Sequence, residues 1–498
     1  RSLAALADTL VARQASGGLA SQDTENLNPP LPPNILRFLE SGLAEPGRWR
    51  TPLVLRLDSS VRVEDVLAVM TAVVNQHDAL RMRVAERAGA WEQQIGAAGE
   101  FADLAQRSLP SDARPGTPQE RRALSDIVSE TLAGQDLSSW PLTATYVTGA
   151  TGDPGFLVLT VHQMVDDAES REVLVTDLLT AFSQRLAGND IVLEPVTTGW
   201  RDWSQRCAAL AAHPAVLDRR NYWIDNAAAA TLRVAGMDAE ITGAPGADDL
   251  RRLAVALTPD QTSQVDNARR VLQASVEELL LAALARTLAS TVGDGVAAVD
   301  LAGAGRSVLR PEVDLRRTIG WFSTIYPIAL PCLDRPSASA AQLLAEVSRT
   351  VGAVPHHGIG HGLLRHLHAP TATLLAATPA AEIFVSYLGM VPEWRESDAA
   401  VQFDGDTELA VRQTLPGLGH PLELRAFRHG GVLHVDWWYD HRRVPGDTVD
   451  MLAERFGATL IALIDEAVVG DADGADDEAD DEALALVDLS AAILDDDE

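Results

Sequence analysis

Residues 162–168 read HQMVDDA. A histidine ends an apolar run, an amide follows it, and two carboxylates come within five residues. An imidazole gives and takes a proton near neutral pH, so His162 is the first residue to test for acid/base work. A base needs a partner within reach. The neighbour here is Gln163, whose amide neither takes up nor releases a proton, so the plainer reading of His162 is a hydrogen-bonded strand-end residue. Asp166 and Asp167 could ligate a metal, but their strand-end position favours an exposed Asp166 and a structural Asp167. A second stretch, Ala302-Gly303-Ala304-Gly305-Arg306, is a glycine-rich loop ending in a cation. A third, VPHHGIGHG, carries His356, His357 and His361 with no acids beside them. That pattern favours a surface loop over a metal site.

Composition narrows the chemistry further. Lysine is absent from the 498 residues, and every basic residue is arginine, which excludes Schiff-base and lysine-nucleophile mechanisms. The two cysteines, Cys207 and Cys332, are far apart. They suggest neither a disulfide framework nor a zinc site and fit a reducing, cytoplasmic setting. A net charge of −31 argues against nucleic acid as a partner. No apolar run is long enough to span a bilayer, so no membrane association is expected. No metal and no cofactor are expected.

Strands and helices must hold these residues in place. RTPLVLRLDSSV alternates as a strand, RVEDVLAVMTAVVNQHDAL has helical spacing, and PGFLVLTVHQM reads as a buried strand. ESREVLVTDLLTAFSQRLAG reads as a helix closed by Gly188. NDIVLEPV looks like a linker, and a second half begins near WRDWSQRCAALAA. There Thr258 caps one helix, and Ser275 with Glu278 forms a capping box on the next. GVAAVDLAG, EIFVSYLGM, PLELRAFRHG and VLHVDWWYD are strands, followed by a closing helix. The expected division is an N-terminal linker or helix (1–29), an N-terminal lobe (30–190), a C-terminal lobe (195–470) and an acidic linker or tail (471–498).

The segments NQHDALRMRV, LTVHQMVDDAESREVLVTDLL, VDLAGAGRS, DLRRTIGWFSTIYP, VPHHGIGHGLLRHL and FVSYLGM resemble, in order, the condensation superfamily of nonribosomal peptide synthetases. The resemblance spans about residues 30–470, and the pattern is most similar to that of epimerization domains. It implies an α+β fold of two chloramphenicol-acetyltransferase-like lobes arranged in a V. It also places Gln163 where the family has an acid/base histidine, Ala168 at the motif glycine, and Ala302 where epimerases have an acid/base glutamate. His162 and Asp167 keep the family residue types. The family often pairs the residues at Asp167 and Arg306 as a structural ion pair.

With neither Gln163 nor Ala302 able to move a proton, the resemblance implies a site with no catalytic residue. The chain then looks like the X-domain of glycopeptide-antibiotic synthetases, which is not an enzyme. Such a domain recruits cytochrome P-450-type oxygenases that cross-link side chains of the carrier-bound peptide. Its other implied partners are the neighbouring peptidyl carrier and thioesterase domains, and no motif marks its docking surface. The alternative is an epimerization or condensation domain with an atypical or lost active site.

Overall fold

The apolar alternation at 50–57 and 155–162 builds the centre of the first of two sheets. The structure, a computed structural model, describes residues 28–149, 153–234, 241, 243–303, 305–307, 313–390, 399–411 and 418–493. The expected helix within 1–29 lies almost wholly outside the described residues. The first half runs through α1 (Pro33–Glu40), β1 (Arg50–Leu57), α2 (Val63–Gln76), the hairpin β2 (Met82–Arg87) and β3 (Ala90–Ile95), and β4 (Leu104–Ser108). It continues through α3 (Pro118–Ala133), β5 (Leu142–Thr148), β6 (Gly155–His162) and α4 (Ala168–Leu186). The second half opens with α5 (Trp200–Ala211), β7 (Leu250–Ala256), α6 (Pro259–Val271), α7 (Val276–Val292), β8 (Gly295–Gly303) and β9 (Thr324–Cys332). It closes with α8 (Ala340–Gly352), β10 (Ile383–Met390), β11 (Val401–Phe403), β12 (Leu422–His429), β13 (Val432–Asp440) and α9 (Gly446–Ile493). Local chemistry sets several helix starts. Thr258, Ser275 and Ser339 each cap a helix and are answered by Gln261, Glu278 and Gln342 in capping boxes. The last helix, α9, runs on through the acidic stretch from Asp471 as far as Ile493.

The first sheet has the order β11-β1-β6-β5-β4, and the second β7-β13-β12-β10-β8-β9. Side chains alternate across each strand. On β6, Leu157, Leu159 and Val161 pack in the main core with Val69 and Met70 of α2 and Leu178 of α4. Phe156 and Val158 face the other way, onto Leu124 and Val128 of α3. In the second sheet, Leu301, Val385 and Leu424 share the main core with Leu281 of α7 and Leu463 of α9. The opposite face of that sheet is polar. Register places Asp300 beside Phe384, Phe384 beside Glu423, and Ser386 beside Arg425, with Ala302 two residues along β8 from Asp300. Asp300, Ser386 and Glu423 are nonetheless buried.

A polar face can be buried only if facing groups satisfy it. The first half supplies them through α1, which crosses onto the second sheet: Arg37 donates to Asp300 at 2.7 Å, Asn34 donates to the Ser323 carbonyl, and Glu40 meets His366 at 3.0 Å. The second half reciprocates. β11 pairs antiparallel with β1, Phe403 opposite Leu55, and Asp404 bonds Arg56 at 2.8 Å. The halves are therefore laced in both directions, across the boundary expected near residue 190.

Candidate functional site

His162 closes β6, opposite Arg50 on β1. The Met164 N–H donates to its Nδ1 at 3.1 Å, and its Nε2 lies 2.9 Å from the Pro46 carbonyl. With Nδ1 accepting, Nε2 must carry the proton, which fixes one neutral tautomer. Burial, and then the nearby Arg50 guanidinium, push its pKa down to about 3. With both ring nitrogens occupied, His162 is a framework residue. Gln163 begins the short 3-10 turn that follows. Its backbone N–H donates to the Trp49 carbonyl at 2.8 Å, which anchors the turn, and its side chain is half-buried.

The two aspartates differ from expectation in one respect. Asp166 is buried, not exposed: Thr51 and Arg171 both donate to its Oδ2 at 2.7 Å. Arg171 also meets the buried Glu408 at 3.1 Å. The reason is that the chain turns inward after β6, so a carboxylate there needs a cation, and the first turn of α4 brings one. Asp167 caps α4 by accepting from the Ser170 N–H at 2.7 Å and accepts from the Phe322 N–H at 3.0 Å. Arg306 donates to the same Asp167 at 2.8 Å and to Ser170 Oγ at 2.5 Å. It also donates to the carbonyls of Leu315 and Thr318 at 2.6 and 2.7 Å. Its guanidinium lies 4.3 Å over the Phe322 ring. Gly305 has no room for a side chain, since a Cβ there would stand 1.6 Å from the Phe322 carbonyl. Gln163 and Ala302 each lie four residues before one member of the Asp167–Arg306 pair.

Ala302 stands on the polar face of β8, opposite Ile325 of β9. Beneath it lies a charge cluster that the sequence did not reveal. His420 bonds Asp300 at 2.8 Å and approaches Glu423 at 3.8 Å, and Arg425 meets Glu423 at 2.9 Å. Burial opposes charge on His420, but its bonds to Asp300 and Glu423 prevail and raise its pKa. Burial likewise opposes charge on Asp300, yet Arg37 and His420 hold its carboxyl well below the usual range. Arg37 and His420 belong to no motif, and only the buried carboxylate on an otherwise apolar strand, GVAAVDLAG, hinted at them.

The histidine loop also departs from expectation. His361 is half-buried rather than fully exposed. Burial pushes its pKa down to about 3, with Asp300 pulling upward and Arg37 and His366 downward. Its ring packs 5.4 Å from Trp223. Gly358 adopts a φ of +83°, and a Cβ there would stand 1.8 Å from the Tyr326 ring, so the loop lies tight against β9. Among the described residues, no group of His, Cys, Asp and Glu is arranged to hold a metal. Nor is any helix among them long and apolar enough to cross a membrane.

Two mixed α/β halves, laced together and clasped by a buried aspartate–arginine pair, define a condensation-type fold. The family model described as "Condensation domain" matches residues 36–473, and the chain belongs to that family. It is 49% identical over 494 residues to a phenolphthiocerol/phthiocerol polyketide synthase component of Mycobacterium tuberculosis; the match covers 98% of this chain and 33% of that one. The chain thus spans about a third of the length of that relative. Among solved structures, the epimerization domain from the third module of tyrocidine synthetase B superposes with a TM-score of 0.75 at 22% identity, covering 90% of this chain and all of that one. The X-domain from teicoplanin biosynthesis superposes at 0.69 and 19% identity, covering 90% and 97%. At these identities both likenesses show the fold alone.

The comparisons overturn the expectation that the chain is not an enzyme: a polyketide synthase matches nearly the whole of it, and the family is that of condensation domains. The physical error lay in equating two lost proton carriers with lost catalysis. Gln163 and Ala302 rule out two-sided proton transfer through those positions, but holding reactants in a productive geometry requires no proton carrier there.

Proposed function

We propose that this chain is a condensation-type domain of a carrier-dependent synthetase, moving an acyl group from a carrier thioester to an amine or hydroxyl beside Gln163 and the Ala302 wall. The observation that carries the reading is the 49% identity, over nearly the full chain, to part of a polyketide synthase. The nucleophile's lone pair attacks the thioester carbon, the C–S bond breaks, and the nucleophile's proton ends on the carrier sulfur. Holding the reactants together supplies up to roughly 7–11 kcal/mol of such a barrier, against about 10²–10⁴-fold for a positioned base. The Gln163 amide is suited to donate an N–H to the carbonyl oxygen as charge builds there. Epimerization fits less well, because it needs a proton carrier on each side of the α-carbon.

Recruitment of a cytochrome P-450-type oxygenase is a narrower reading of the partners. It is motivated by the altered residues at 163 and 302 within a retained framework. The polyketide synthase relative weighs against it, since the recruiting X-domains belong to peptide synthetases. A carrier domain of the same synthetase is the partner that the main reading requires.

The test is product formation from a carrier-loaded acyl thioester with amine and alcohol acceptors, followed by mass spectrometry. Gln163→Ala should lower kcat by about 10²-fold, the effect of losing one oxyanion donor, with KM little changed. If the wild-type chain forms no product but takes up solvent deuterium at the α-carbon, acyl transfer fails and epimerization replaces it. Calorimetry against a haem-thiolate oxygenase tests the partner reading separately.

A further inference from the structure

An open pocket of about 440 Å³ lies where the turn Asp78–Arg81 and the loop 96–98 of the first half meet the start of α5. Two guanidiniums line it, those of Arg81 and Arg201, together with the amide of Gln205. Arg81 is fixed in place. Its Nε donates to the Gly96 carbonyl at 3.0 Å, and its Nη1 donates to the carbonyls of Val74 and Asn75 at 2.6 and 2.9 Å. Its Nη2 has no partner among the described residues. The side chain of Arg201 makes no hydrogen bond or ion pair among them, and its Nε is buried. Gln205 follows four residues later on the same face of α5. Two carboxylates share the pocket, but both are engaged. Asp78 accepts from the N–H groups of Ala79, Trp200 and Arg201 at 3.0, 3.1 and 3.2 Å, and Asp202 accepts from Arg206 at 3.0 Å. Burial lowers the pKa of Arg81, Asp78 raises it, and Arg201 lowers it further. The two guanidiniums therefore repel each other, and an anion between them would relieve that repulsion.

We propose that this pocket binds a phosphate group, free or as the end of a small monoester, between Arg81 and Arg201, with Gln205 as a neutral donor. Neither Gln163 nor Ala302 lines the pocket, and the proposal does not rest on the acyl-transfer reading. A phosphate monoester carries a charge of about −1.5 to −2 at pH 7, which matches two guanidiniums. A monocarboxylate would leave one of them uncompensated. Guanidinium N–H groups also fit phosphate oxygens in pairs. The volume falls within the roughly 300–1,000 Å³ of small-molecule sites, so the pocket has room for an organic remainder beside the phosphate.

The experiment is calorimetric titration of the full chain with inorganic phosphate, glycerol 3-phosphate and acetate at one ionic strength and neutral pH. At least one of the phosphates should bind 1:1, about tenfold or more tighter than acetate. Arg201→Gln should weaken that binding about tenfold or more, the loss of one charge-assisted partner. Its melting midpoint should match wild type, because the Arg201 side chain has no partner among the described residues to lose. Tighter binding of glycerol 3-phosphate supports the site with the monoester as its ligand, and equal or tighter binding of inorganic phosphate supports it with the free ion. The site is overturned if neither phosphate binds with a Kd below about 10 mM, if acetate binds as tightly, or if Arg201→Gln binds phosphate as tightly as wild type.

Discussion

Arg306→Met should destabilise the chain by roughly 3–5 kcal/mol, the cost of breaking a buried ion pair from one side. Arg306 is 2% exposed, so no water stands ready to replace what it donates. The substitution keeps most of the side-chain volume, so the loss is electrostatic rather than a cavity. The carbonyls of Leu315 and Thr318 lose their donor, and Asp167 keeps only the N–H groups of Ser170 and Phe322. Asp167→Asn approaches the same fault from the other side, leaving the guanidinium buried with Glu169 at 3.8 Å as its nearest acid, and that residue is half-exposed. Each single variant should unfold at a distinctly lower urea concentration. The double variant should recover part of the sum, because partners in contact do not add. Single variants within about 1 kcal/mol of wild type would show that the clasp is dispensable.

That clasp could be anticipated because both of its members sit inside recognisable runs, HQMVDDA and LAGAGR. The sheets were legible for a similar reason: alternation in PGFLVLTVHQM and GVAAVDLAG is dictated by the pleat, whatever lies opposite. What lies opposite is not written locally. Asp166 reads as an exposed strand-end acid until Arg171 and Glu408 are seen around it, and Glu408 comes from a segment more than two hundred residues away. β11 is three residues long and pairs with a strand about 350 positions earlier, so no periodicity could announce it. His361 looks exposed in its glycine-rich loop because Trp223, the ring it packs against, stands on a different element. The misjudged activity has the same origin. Two motif positions revealed what could not move a proton, while the groups able to orient a substrate belong to the tertiary arrangement.

Lowering the pH from 7.5 to 5 should weaken the fold by about 2 kcal/mol through His162 alone, and by up to about 4 kcal/mol with His361. Both imidazoles are held near pKa 3 when folded, by burial first of all, against about 6.5 in an unfolded chain. Between those values the unfolded chain binds protons that the folded one refuses, so stability falls as pH falls, by about 1.4 kcal/mol per unit for each group. Protonating His162 would break its bond from the Met164 N–H and set a cation beside Arg50, whose terminal nitrogens are buried without partners among the described residues. His356 and His366 are also lowered, chiefly by burial, and add in the same direction. His420 opposes them. Its raised pKa gives stability that is fully present below about 6.5 and is lost as pH rises through its folded value. Glu277, whose carboxyl burial pushes up to about 7, also opposes them, so the net fall is smaller than the four lowered histidines alone would give. Asp300 does not alter this window, because its depressed pKa matters only below the range of an ordinary carboxylate. Urea midpoints at pH 7.5, 6.5, 5.8 and 5.0 should decline most steeply below 6.5. In His361→Phe the decline should lose about one group's share. A midpoint that stays level down to pH 5 in both the wild type and Glu277→Gln would mean that these rings gain protons while the chain remains folded, and the buried-neutral account of His162 and His361 would fall with it.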